Sequence, residues 1–248
     1  MNQKKNSSII KKILSPFLFS LITSPVHITR HNLFKFIKKY ASNIKGSILD
    51  FGCGSKPYEH LFLQRESYTG VEIKVSGPNH EVEKFGINSK VDYFYDGKTL
   101  PFKDSSFDAV VSFEVFEHIF NIDEVVKEIF RVLKPGGTLL ISVPFAWNEH
   151  EVPYDFARYT SYGISHILKK SKFNIIELKK TTTYFLTVAQ MFIAYLHQHV
   201  LPKGKLLKKI SQILIVFPLT LTSILLDKIL PRNYEYFCNV LVYSKKPD

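Results

Sequence analysis

The sequence has two cysteines in 248 residues, Cys53 and Cys238, standing far apart. That excludes a disulfide framework and a cysteine-based zinc spacing, and it fits a reducing cytosol. Acidic residues are missing from the N-terminal stretch: none precedes Asp50, whereas nine Lys or Arg do. There is no internal repeat and no low-complexity tract. A third glycine after Gly52 and Gly54 is missing too. Pro57 stands where a dinucleotide fingerprint would carry it, which disfavours a nicotinamide oxidoreductase. A long apolar run is also absent. Ile213–Leu226 has fourteen residues and carries Pro218, short of the roughly twenty that a bilayer span needs. The apolar run Ile9–Ile22 is broken by Pro16 and followed by no Ala-x-Ala site, so an export signal is not expected.

What is present can fill a sizeable core, since 45% of the residues are hydrophobic. Charge is unevenly spread. Asp50–Asp155 holds eighteen acids and ten bases, while the rest of the chain holds four acids and 23 bases, a net of +19. An acidic core suits a cationic ligand, and basic flanks seek an anionic surface.

Ser47–Tyr58 reads SILDFGCGSKPY. A strand-like Ile48-Leu49 runs into Asp50 and then into Gly52-Cys53-Gly54, a turn that lets a ligand lie against bare backbone. Tyr68–Ile73 follows, an apolar run ending in Glu72, which is placed to accept both hydroxyls of a ribose. Next come Asp96-Gly97-Lys98-Thr99-Leu100-Pro101-Phe102 and strand-like Phe107–Ser112, flowing into Phe113–His118. Glu128–Gly137 reads as an amphipathic helix stopped by Pro135, and Thr138–Phe145 as a strand. In this order, the segments resemble the class I S-adenosylmethionine (SAM)-dependent methyltransferases, closest to small-molecule enzymes with a Glu-His pair after strand four. The resemblance implies an α/β fold: a Rossmann-like, seven-stranded, mostly parallel sheet in the order 3-2-1-4-5-7-6, with an antiparallel last strand and flanking helices. It implies SAM as cofactor. Asp50, Gly52, Cys53 and Gly54 would meet its methionine part, Glu72 its ribose and Asp96 its adenine, with Ile73, Gly97 and Phe113 completing the site. Cys53 is read as a small packing residue.

Methyl transfer is an in-line displacement at carbon, and the cofactor brings its own leaving group. The protein must hold the acceptor behind the methyl, keep water out and, for a hydroxyl or amine, take up a proton. Two segments offer a base. Were Glu114–His118 helical, Glu114, Glu117 and His118 would share a face. The pattern is similar to that of ubiquinone-type O-methyltransferases, where these three positions hold a divalent metal. The same Glu-His pair braces the cofactor loop in metal-free relatives, and no metal is assigned on this reading; His118 is either structural or a base. The second segment, Trp147–Thr160, is dense in proton-transfer and aromatic groups. His150 is the expected acceptor-side base, with Tyr159 and Asp155 beside it. Asp155 and Arg158 serve equally well as an internal salt bridge pinning the loop.

Four regions are expected: a basic helical segment over 1–45, a SAM-binding core over 46–182, a helical insertion over 183–232, and the last strand with its tail over 233–248. Met1–Ser8 should fray and Ile9–Lys45 should form two helices. The insertion, with lysines rimming apolar helices, is expected to be a lid or an interfacial element on an anionic membrane. The function expected is methylation of a small, lipophilic or membrane-associated acceptor by a cytoplasmic protein, peripheral on the inner face of the membrane. An RNA methyltransferase using the basic flanks is the alternative, nucleic acid being the weaker partner. The other is a catalytically idle SAM-fold scaffold docked at the membrane.

Overall fold

The computed structural model describes residues 16–74, 90–202 and 204–248. The fraying expected for Met1–Ser8 and the start of the first expected helix lie outside these residues. The chain divides into two compact units, one joining Lys35–Lys180 to Asn239–Asp248 and the other joining Met1–Phe34 to Thr181–Cys238.

The first unit is an α/β sheet of seven strands: β1 (Lys45–Phe51), β2 (Gln64–Ile73), β3 (Tyr93–Tyr95), β4 (Phe107–Phe113), β5 (Leu133–Pro144), β6 (Asn174–Lys180) and β7 (Asn239–Lys245). Their order is β3-β2-β1-β4-β5-β7-β6. All neighbours are parallel except β7, which runs antiparallel to both β5 and β6. The central strands read as near-continuous apolar runs because helices cover both faces. Ile48, Leu49, Val110, Val111, Leu139, Leu140 and Ile141 are all fully buried. Each such side chain contributes about 1.5–3 kcal/mol relative to an exposed one. Register sets Asp50 level with Gly70 on one side and Val111 on the other, and Ser112 level with Ile141. The strand ends that follow these positions therefore share one edge.

The helix expected over Glu128–Gly137 is shifted. It spans Ile122–Val132 and buries Val125, Val126, Ile129 and Val132 along one stripe. Leu133 is already extended and Lys134–Gly137 belong to β5. Pro135 disfavours the helical conformation at the residue before it, so the chain leaves the helix ahead of the proline. Within the region expected over 233–248, the last strand starts at Asn239.

The second unit is helical. It contains Pro16–Thr23, most of His27–Ala41's first half, Tyr184–Tyr195, Lys205–Ser211 and Phe217–Leu226, with wide turns over Leu196–Val200 and Gln212–Val216. Ile28, Leu186, Ile193, Leu201 and Val216 form its core. The Gln190 side chain donates to the Pro25 carbonyl at 2.8 Å. Leu206–Leu226 runs as one helix of 21 residues with a mean hydropathy of 1.8, long and apolar enough to cross a membrane by length and composition. The sequence-based count fell short because it began at Ile213. Lys208 and Lys209 lie inside the helix, and Pro218 is accommodated in the first turn that follows the wide turn, where its missing N–H is tolerated.

Candidate active site

The glycine turn after β1 is built for close approach. Gly52 has φ of +71°, and a Cβ there would fall 2.5 Å from the Val115 side chain. The loops after β1 and β4 therefore touch through a glycine that no other residue can replace without strain. The Gly54 N–H donates to Glu72 Oε2 at 3.0 Å, and the Ile73 N–H donates to Oε1 at 3.2 Å. This fixes the carboxylate at the end of β2 and leaves acceptor capacity on both oxygens. Burial raises the Glu72 carboxyl above its ordinary value.

Asp50 is 4% exposed and accepts the Tyr68 hydroxyl at 2.8 Å. Burial pushes its carboxyl up to about 7. Cys53 is buried, and burial pushes its thiol up, so it packs rather than reacts. Asp96 is exposed. Its Oδ1 accepts the N–H groups of Lys98 and Thr99, both at 2.9 Å, which closes the loop ahead of Leu100. Gly97, with φ of +84°, lies under the Ile73 side chain, and the Phe113 ring meets Tyr58 edge-on at 5.1 Å. The sheet thus brings Asp50, Gly52, Gly54, Glu72, Ile73 and Gly97 to one edge, with Phe113 at the end of the next strand.

The face expected for Glu114, Glu117 and His118 does not form. Glu114 takes φ of +57°, and only Phe116–His118 makes a single tight turn. The Glu114 carboxylate accepts the Ser142 hydroxyl and the Asn239 amide, each at 2.6 Å, and burial raises it to about 7. Its two oxygens are thereby taken up by β5 and β7.

His118 is joined instead by His150. Their rings lie 4.8 Å apart, edge to face. Glu117 Oε1 stands 3.7 Å from His118 Nε2 and 3.8 Å from His150 Nε2. Glu117 is fully buried, neither carboxylate oxygen has a hydrogen-bond partner among the described residues, and burial pushes its carboxyl well up. His118 Nδ1 lies 2.7 Å from the Tyr154 carbonyl, which can only accept, so that nitrogen carries a proton. Asp155 is bridged to both terminal nitrogens of Arg158 at 2.6 Å and accepts the His150 N–H at 2.9 Å. The guanidinium holds its carboxyl down at about 2. Asp155 is thus the pin of the loop. The Tyr159 hydroxyl donates to the Phe116 carbonyl at 3.3 Å, and burial raises it to about 12.

Sequence reasoning missed the residues that hold this edge together. Tyr68 braces Asp50 from the next strand. Lys56, 7% exposed and at φ of +53°, reaches Asp92, whose carboxylate also accepts the Gly70 N–H at 2.6 Å. Ser142 and Asn239 decide where Glu114 goes. Each sits among ordinary strand or loop residues and carries no spacing signal.

The methyltransferase-domain family matches residues 49–141. A sterol 24-C-methyltransferase of Gibberella zeae is 36% identical over 96 residues, covering 36% of this chain and 25% of its own. A ubiquinone/menaquinone biosynthesis C-methyltransferase of Pseudoalteromonas translucida is 32% identical over 120 residues, covering 44% of this chain and 47% of its own. The chain thus spans between a quarter and a half of these relatives' length. Among solved structures, the phosphoethanolamine N-methyltransferase 2 of Haemonchus contortus in complex with SAM superposes with a TM-score of 0.52 at 18% identity, over 95% of this chain and 61% of that one; a likeness at that identity speaks for the fold alone. Residues 49–141 thus match a methyltransferase domain, and the strand order and the superposition agree with that α/β fold.

Proposed function

We propose that this chain binds SAM at the edge formed by β1, β2 and β4 and transfers its methyl group to a small, lipophilic acceptor. The observation that carries the reading is the meeting of the Gly52–Gly54 turn with Glu72, where a backbone N–H already orients the carboxylate for two ribose hydroxyls. Asp50 supplies negative charge near the methionine end, Asp96 and Gly97 border the adenine, and Ile73 and Phe113 wall the site. The acceptor enters beside the connection after β5, where His118, His150 and Tyr159 are gathered and where a hydroxyl's proton would be taken up. The lipophilic acceptor is supported by the sterol and quinone names of the relatives. It is supported as well by the helical unit, whose Leu206, Leu207, Leu214 and Leu225 are more than half exposed. We read that unit as resting on an anionic membrane, its lysines facing the headgroups.

Calorimetry with SAM tests the cofactor site. Glu72→Ala leaves ribose hydroxyls without their acceptor and should cost on the order of 2 kcal/mol, about thirtyfold in affinity. Unchanged affinity removes Glu72 from the site, and NADH binding at micromolar levels without SAM binding overturns the assignment. Untargeted screening of lipid and metabolite extracts with methyl-labelled SAM then identifies the acceptor.

A further inference from the structure

We propose that Glu117, His118 and His150 form a binding site for a divalent first-row transition cation, open on the side of Glu151. The three donor atoms lie within 4.8 Å of one another. Both imidazole Nε2 atoms converge on Glu117 Oε1, at 3.7 and 3.8 Å. Glu151 Oε2 stands 3.8 Å from His118 Nε2, on a half-exposed side chain, and could close the set as a fourth donor. Zinc bound at about 2.0–2.1 Å to each ligand of a tetrahedron sets those ligands about 3.4 Å apart. The two spacings to Glu117 contract to that with side-chain shifts of about half an ångström, and the widest spacing within the set, at most 4.8 Å, with shifts of about 0.7 Å on each side.

Two further features separate this cluster from a chance grouping of polar residues. Glu117 is a fully buried carboxyl with both oxygens unpartnered among the described residues. A buried acceptor without a partner is expensive, and a cation on Oε1 would relieve it. Each imidazole is also oriented from behind. His118 Nδ1 lies 2.7 Å from the Tyr154 carbonyl. His150 Nδ1 lies 3.3 Å from the Asn148 carbonyl and 3.3 Å from Asp155 Oδ2, both acceptors, while the Arg158 guanidinium, a donor bound to the same Asp155, stands 3.4 Å from that nitrogen. Acceptors on the far nitrogen are how metal-bound histidines are held in the correct tautomer. The Glu117 carbonyl takes the N–H groups of Phe156 and Ala157, at 2.8 and 3.2 Å, which ties the loop bearing His150 to the turn bearing Glu117.

Two imidazoles and one carboxylate suit zinc, cobalt(II) or iron(II) rather than magnesium or calcium. The set is not the one that the resemblance to ubiquinone-type enzymes implies, because Glu114 is occupied by Ser142 and Asn239 and His150 comes from a loop about thirty residues away. The role of the cation in turnover rests on the methyl-transfer reading. There it would hold an acceptor oxygen and lower its pKa, replacing a free histidine base. Cation binding itself does not depend on that reading.

The test uses the full chain, stripped with a chelator and titrated with cobalt(II). One equivalent should bind with visible d–d absorption, and zinc should displace it. Glu117→Gln and His150→Ala should each weaken binding tenfold or more, while Glu114→Gln binds as the wild type does. X-ray absorption of the zinc-loaded wild type needs no variant and should show two imidazoles at about 2.0 Å. No saturable cobalt binding by the folded protein, an oxygen-only zinc shell, or weakening by Glu114→Gln with none by His150→Ala overturns the site. SAM calorimetry on the stripped protein is read separately, so failure of the cofactor site is not mistaken for failure of the cation site.

Discussion

Asp50 carries a carboxyl that water hardly reaches. The Tyr68 hydroxyl donates to it, Lys56 draws its proton off, and Glu72 and Glu59 oppose that by like charge; burial outweighs them all and leaves it near 7. The unfolded value is 3.8. Between these two values the folded chain keeps a proton that the unfolded chain has lost. Stability therefore falls as pH rises across this window, by up to about 1.4 kcal/mol per pH unit, and levels off above it. Urea denaturation of the ligand-free protein at pH 5, 6, 7 and 8 should show that slope, and Asp50→Asn should remove about one proton's worth of it. An unchanged slope in the variant would assign the titration to Glu114, which burial raises to the same range. SAM brings positive charge to this carboxylate, so its binding should favour the ionised form and release a proton near neutral pH.

The connection Trp147–Thr160 has no regular structure, and its shape comes from its two ends and its pin. Arg158 clamps Asp155 and also donates to the Asn148 carbonyl at 2.9 Å. At the far end Thr160 caps the helix Ser161–Lys170, its hydroxyl accepting the Gly163 N–H at 3.0 Å. Thr160→Ala exposes an unpaired donor in the first turn and should destabilise the unit by about 1 kcal/mol. Denaturant unfolding measures that loss. SAM affinity should stay within twofold of the wild type, because the cap lies beyond this connection and touches none of the residues proposed to hold the cofactor. A stability equal to the wild type would mean that solvent replaces the cap without loss.

The whole molecule combines a sheet unit that carries the chemistry with a helical unit that carries apolar surface and positive charge. Outside Asp50–Asp155 the net charge is +19. The full chain should co-sediment with vesicles containing anionic lipid and be released by salt, since the screening length falls from about 10 Å at 0.1 M to about 3 Å at 1 M. Equal binding to neutral and anionic vesicles contradicts the electrostatic part, and no binding to either contradicts membrane contact. Retention of the protein through alkaline carbonate would show that Leu206–Leu226 enters the bilayer rather than lying on it.

The sequence by itself determined the alternation of strands and helices, while the strand order, which the observed pairing bears out, came only through the resemblance to a family. Asp50, Gly52, Gly54 and Glu72 were legible because a strand, a glycine turn and a strand-end acid are close in sequence, and hydrogen bonding within a parallel sheet leaves few arrangements for them. The helix Ile122–Val132 was legible in kind, from its apolar stripe, but misplaced: Pro135 ends it at Val132, and it begins at Ile122 rather than at Glu128. Tertiary structure alone decided the surroundings of Glu114, Glu117 and the two histidines. Glu114 and Glu117 are three residues apart, yet one is drawn to Ser142 and Asn239 and the other is left bare beside two histidines. No periodicity carries that division. It follows from a positive φ at one residue and from which strand lies underneath, and both are fixed only when β5 and β7 pair across about a hundred residues of chain.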